Sequence, residues 1–228
     1  MEARSLYYGL GKLRNSFICQ AMASVISIAF YVAIGGSPPL VQEAGLPALS
    51  PEVLTYFALL AILGLGLLLL LVISWIYKVL GWGDICKAGL KRFYCYTKLG
   101  VLFLPILGLM FMLVTGLIAG LRALSSPAEP VGLSAWRWVS NLGPALISSG
   151  LVFDGVSLLD FYHREREAPL GIGCPLYLAY LLLTPLASRL PPLASLSLNV
   201  SELTGAVMIV VGLSRVRNKV SVNVKGCG

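Results

Sequence analysis

Leu59 to Leu71 reads LLAILGLGLLLLL, inside a run of 25 uncharged residues, 53–77. A helix rises about 1.5 Å per residue and a bilayer's hydrocarbon core is about 30 Å thick, so roughly 20 apolar residues cross it. The run exceeds that requirement. It has no polar stripe at helical period to face water, so its solvent is lipid and it is read as a transmembrane helix, with Trp75 and Tyr77 at interfacial depth.

Composition extends that reading to the whole chain. Of 228 residues, 57% are hydrophobic and 12% charged, against about 25% charged in soluble domains. The net charge of +7 would suggest nucleic acid on a soluble module, but here the basic residues sit in short segments between apolar spans. They read as topology signals, and nucleic acid is not an expected partner.

Six spans follow, at about 17–35, 53–77, 99–121, 139–161, 170–187 and 199–214, in one transmembrane domain over residues 1–228. The basic start with Arg4, Lys12 and Arg14 also fits a cleaved signal peptide, but Gly35-Gly36-Ser37-Pro38 is a poor cleavage site. Pro38, Pro39 and Pro47 mark a loop before span two. Span three ends in Gly116 and Gly120, a small-xxx-small pair that admits a neighbouring helix. Pro169 suits a first helical turn, and Pro175 and Pro185 are expected to kink span five. Residues 81–98 form a basic interfacial linker. If Asp84 caps a short helix there, Lys87, Lys91 and Lys98 share a face that meets anionic lipid headgroups; the alternative is a basic connecting loop.

Placing both termini, the 78–98 segment and the 162–168 segment on one side gathers 14 of the 17 Lys and Arg there and leaves Arg122, Arg137 and Arg189 opposite. Such a split predicts cytoplasmic termini. The expected fold is thus all-α, a polytopic bundle of about six transmembrane helices in the cell membrane.

The start Ser5-Leu-Tyr-Tyr-Gly-Leu-Gly-Lys-Leu-Arg14, the linker Lys87-Ala-Gly-Leu-Lys-Arg-Phe93 and the end Val211-Gly-Leu-Ser-Arg-Val-Arg217 together resemble a family of archaeal multi-spanning membrane proteins of unknown function. The resemblance covers the whole length as a pattern. It implies a membrane location and assigns no activity.

Five cysteines at 19, 86, 95, 174 and 227 show no C-x-x-C spacing, and His163 is the single histidine, so neither a metal site nor a cofactor is expected. Cys86 and Cys95 could pair if the linker folds back, although a cytoplasmic location opposes a persistent disulfide outside hyperthermophiles. No hydrolase, nucleotide-loop or zinc-protease motif occurs, and the protein is not expected to be an enzyme. Asp160 and Arg164 have the spacing of a helical ion pair, and Glu202 stands three residues after Asn199 as in a capping box at the start of span six.

Asp154 is the residue that composition does not explain. It falls well inside span four, on a stripe with Gly143, Ile147, Gly150, Ser157 and Phe161 whose spacings of three and four mark a packed seam. An acid at that depth is costly. It is read either as a buried polar contact, protonated or paired with Lys78 reaching from span two, or as part of an ion or proton pathway with Lys78 and Ser157. Two functions follow: a scaffold or accessory subunit, partnered by its own copies or other membrane proteins, or a small secondary transporter or channel using Asp154. Polar residues converging from several spans would favour transport, and a single isolated acid would favour the scaffold.

Overall fold

The computed structural model describes residues 2–35, 51–125, 133–184 and 192–225. They form six helices: α1 (Glu2–Gly35), α2 (Pro51–Lys87), α3 (Arg92–Ser125), α4 (Leu133–Glu165), α5 (Ala168–Leu183) and α6 (Pro192–Lys225). Four stretches are long and apolar enough to cross a membrane, Ala61–Lys87, Arg92–Ile118, Leu142–Glu165 and Leu196–Val222, and α5 is apolar but shorter. They mark the chain as an all-helical membrane protein. The expected spans at 53–77, 99–121, 139–161 and 199–214 lie on α2, α3, α4 and α6. The span at 17–35 is the second half of α1, and the one at 170–187 begins on α5 and ends, with Pro185, outside the described residues.

Each helix packs on its two neighbours in the chain, and α6 closes against α1, so the helices form a ring. Their direction alternates. Lys12 near the start of α1 bonds Asp84 near the end of α2 at 2.6 Å, Lys91 before α3 bonds Asp160 near the end of α4, and Lys219 near the end of α6 pairs with Glu167 before α5. These contacts collect at one end, where both chain termini of the described residues also lie.

Each of three successive hairpins hinges on a reciprocal glycine contact. A Cβ at Gly9 of α1 would meet the Gly81 carbonyl oxygen of α2 at 2.9 Å, one at Gly108 of α3 the Gly143 carbonyl of α4 at 2.6 Å, and one at Gly173 of α5 the Gly205 carbonyl of α6 at 2.9 Å. Hydrogen at these positions brings the backbones together, which in lipid, where no hydrophobic force joins helices, is a principal source of packing. Gly150 adds a second contact on α4, against Pro105 and the Gly100 carbonyl. Gly116 does not pack: a Cβ there would meet nothing within 4 Å. The side chains around Gly120 lie outside those described.

The junctions also differ from expectation. No separate surface helix occupies 81–98: residues 81–87 are the last turns of α2 and Arg92–Lys98 the first of α3, joined by a turn. Gly81 and Gly83 do not break α2, because both are buried against neighbouring side chains, Leu13 and Lys98 respectively. Gly89 closes the turn with φ 71°, a conformation that costs a glycine little, and Cys86 and Cys95 join across it in a disulfide with Cα atoms 4.9 Å apart. Arg166 takes the same left-handed conformation (φ 52°) at the end of α4, and its amide bonds back to the Tyr162 carbonyl at 2.7 Å, ending the helix as a C-terminal cap does.

Candidate functional site

Side chains on a helix lean toward its N-terminus. Because the helices alternate, Lys78 on α2 leans away from the charged end while Gln20 on α1 leans toward it, and the two meet inside the ring. Each sits on a polar stripe of spacing four: Ser16, Gln20 and Ser24 on α1, and Ser74, Lys78 and Trp82 on α2, all buried. Ser16 and Ser74 join the stripes, with the Ser74 hydroxyl donating to the Ser16 carbonyl at 3.0 Å.

Lys78 is 2% exposed and Asp154 fully buried. The Lys78 ammonium has three protons and three acceptors: Asp154 Oδ2 at 2.8 Å, Gln20 Oε1 at 3.0 Å and the Tyr177 hydroxyl at 2.6 Å. It also lies 4.5 Å from the centre of the Phe17 ring and 4.8 Å from that of Tyr177, a further attraction for a cation withdrawn from water. Asp154 is equally well held. Trp82 donates its indole N–H to Oδ1 at 2.7 Å, and the Tyr177 hydroxyl donates to Oδ2 at 3.4 Å. Beyond Gln20 the network continues. Gln20 donates from Nε2 to Glu202 Oε1 on α6 at 2.9 Å, and the Ser24 and Tyr180 hydroxyls lie beside Glu202. Five of the six helices thus contribute polar side chains to one connected cluster.

Toward the charged end, Trp82 stacks on Tyr94 with ring centres 5.5 Å apart, and the Tyr94 hydroxyl donates to Asp160 at 2.8 Å. Asp160 also takes both bonds from Lys91, at 2.7 and 2.9 Å. A chain of polar and aromatic groups therefore leads from the surface of the bundle to its interior.

The expected stripe on α4 is buried as a unit at Gly143, Gly150, Asp154, Ser157 and Phe161, with Ile147 half-buried. Ser157 faces Thr97 of α3 at 2.5 Å and lies outside the hydrogen bonds of the Lys78–Asp154 pair. Two local pairings give way to tertiary ones. Asp160 bonds Lys91 and Tyr94 rather than Arg164, which lies 3.6 Å from Glu165. Glu202 caps nothing, because α6 begins ten residues earlier at Pro192. Of the lysines expected to meet headgroups, Lys91 is engaged by Asp160, Lys98 lies over Gly83, and Lys87 is exposed at 4.0 Å from Asp84.

No family model matches this chain, and no curated protein or solved structure matches it. What the site can do therefore follows from its own chemistry. Gln20, Trp82 and Tyr177 are the members that sequence reasoning passed over, and Glu202 is one that it read as a helix cap. The signal for two of them was the spacing of four that places Gln20 between Ser16 and Ser24, and Trp82 one turn after Lys78.

Proposed function

We propose that this chain is a small secondary transporter or channel of the cell membrane, in which the Lys78–Asp154 pair and the side chains around it carry a coupling proton or cation. The observation behind the reading is the convergence of Gln20, Lys78, Asp154, Tyr177 and Glu202 from five helices inside a ring. Ionisable side chains among transmembrane helices are expensive and are retained chiefly along ion and substrate paths. Glycine contacts already hold the hairpins together, so packing alone does not require the charges. No enzymatic step is assigned to the protein. The resemblance to archaeal multi-spanning proteins adds a membrane setting and no activity.

A scaffold or accessory subunit is the second reading, and one observation favours it: the Lys78 ammonium and the Asp154 carboxylate have every close hydrogen bond satisfied, as in a buried clasp. The two separate on Asp154→Asn, which keeps size and hydrogen bonding while removing the charge. In proteoliposomes the variant that reconstitutes folded, at the stability cost of leaving the buried Lys78 without its countercharge, is expected to lose proton- or cation-dependent flux. Unchanged flux in the variant would remove Asp154 as a carrier of charge.

The orientation we propose puts the charged end, with both termini, in the cytoplasm, as the 14 to 3 distribution of basic residues favours; the Cys86–Cys95 disulfide at that end is the observation against it, since outside hyperthermophiles the cytoplasm keeps thiols reduced. Lys87 there is available to anionic headgroups, at about 1 kcal/mol per basic residue near a charged surface. A cysteine introduced at the exposed Asn218 should resist an impermeant thiol reagent in whole cells and react in inverted vesicles. Labelling from outside would invert the topology.

A further inference from the structure

The buried network holds two carboxyl groups and one ammonium. Lys78 spends all three of its N–H groups on Asp154, Gln20 and Tyr177, so its charge is matched by Asp154 and it has no proton left to give Glu202. Glu202, 7% exposed, forms no ion pair among the described residues. Gln20 stands between it and Lys78, and the amide is oriented by its neighbours: Oε1 must accept from the ammonium, which turns Nε2 toward Glu202. The groups facing Glu202 are then Gln20 and Ser24 from α1 and Tyr180 from α5, all uncharged, with Tyr177 behind them. Lys78 of α2, the nearest cation, sits one side chain further away and is paired to Asp154 of α4.

An unpaired carboxylate in that setting would leave the interior with one uncompensated negative charge, which low-dielectric surroundings reject. The neutral acid meets no such penalty. It accepts from Gln20 on one oxygen and offers a single O–H, for which the Ser24 hydroxyl oxygen is open, its own proton going to the Gln20 carbonyl.

We propose that Glu202 is a proton-binding site: its carboxyl group holds one exchangeable proton at neutral pH, beside the Lys78–Asp154 ion pair. The only bond that changes is the carboxyl O–H, which breaks as the proton leaves to water and re-forms as one arrives; no electrons are exchanged. The inference rests on the transport reading for the use of that proton, as the coupling ion, and not for its presence. It also moves the exchanging group from Asp154, which the sequence offered as either a buried contact or part of a pathway, to Glu202. Asp154 becomes the fixed counter-charge that keeps Lys78 from neutralising Glu202.

The test is infrared difference spectroscopy of the full chain in lipid at neutral pH, reading the carbonyl band of a protonated carboxyl and its shift in heavy water. The wild type should show one such band, lost in Glu202→Gln and kept in the double variant Lys78→Met with Asp154→Asn, which removes both members of the neighbouring ion pair. Alkaline titration of the wild type should remove it, which gives a readout even if Glu202→Gln fails to fold. Absence of the band in the wild type would overturn the proposal, as would its loss in that double variant with retention in Glu202→Gln. Absence of the band together with sodium- or potassium-dependent thermal stabilisation would overturn it in favour of a bound metal cation. A band at Glu202 in a protein without flux would leave the proton site standing and remove the transport reading; flux without the band would do the reverse.

Discussion

Lys78→Met should destabilise the bundle by about 3–5 kcal/mol, the usual cost of removing one partner from a buried ion pair. The loss comes from what stays behind. Asp154 would keep two neutral donors, Trp82 and Tyr177, but no countercharge, and Gln20 Oε1 would lose its donor. The double variant Lys78→Met with Asp154→Asn should recover most of the loss, since it removes both charges and leaves an acceptor for the Trp82 indole. Equilibrium unfolding of the four proteins in mixed micelles closes the cycle and isolates the pair. If the single variants were as stable as the wild type, the pair would be neither buried nor coupled as described.

Glycine contacts supply the second large effect. Gly108→Leu would drive its side chain into the Gly143 carbonyl and Ile147, and overpacking of this kind costs about 1–3 kcal/mol. A backbone oxygen cannot swing aside as a side-chain end can, which puts Gly108 at the upper end of that range. Gly116→Leu on the same helix is the matched control. It has open space around it and should be neutral or stabilising by up to about 1 kcal/mol, as loss of a helical glycine allows. Equal losses at the two positions in unfolding titrations would mean that the α3–α4 contact is not where the structure places it.

The contrast between these glycines shows how far the chain could be read unaided. Leu59 to Leu71 is long enough to require lipid, and the other apolar runs repeat the argument, so the helices were legible from length and hydropathy alone. Asp154 was legible because a charge inside such a run has few explanations, and Lys78, just past the end of the run at 53–77, was the cation within its reach. Partner choice among glycines was not, since Gly116 and Gly108 look alike until a second helix is placed beside them. Helix ends were the other difficulty. Span six is expected to begin at 199, yet α6 begins at Pro192, and that shift moves Glu202 from the cap of a helix to the interior of the ring. A local Asp160–Arg164 pair is worth only about 0.2–0.5 kcal/mol, so the Lys91 and Tyr94 bonds brought by the α2–α3 turn override it.

The conserved direction of side-chain lean explains why the cluster could not be assembled from spacing on single helices. Lys78 and Gln20 meet because one helix runs up and its neighbour down, and the order of the ring decides that Asp154 and Glu202 flank them. Reading the polar stripes of α1 and α2 together would have found the three serines and the glutamine, but only the closure of α6 on α1 brings Glu202 within reach.

Proton flux through the purified wild-type chain tests the central claim most directly. Liposomes containing the protein and an internal pH indicator, energised by a potassium diffusion potential, should acidify or alkalinise faster than protein-free liposomes, in proportion to protein content. Folded, fully reconstituted protein with no flux above that of empty liposomes, for protons or for sodium and potassium, would contradict the account and leave the buried network as a clasp within a scaffold.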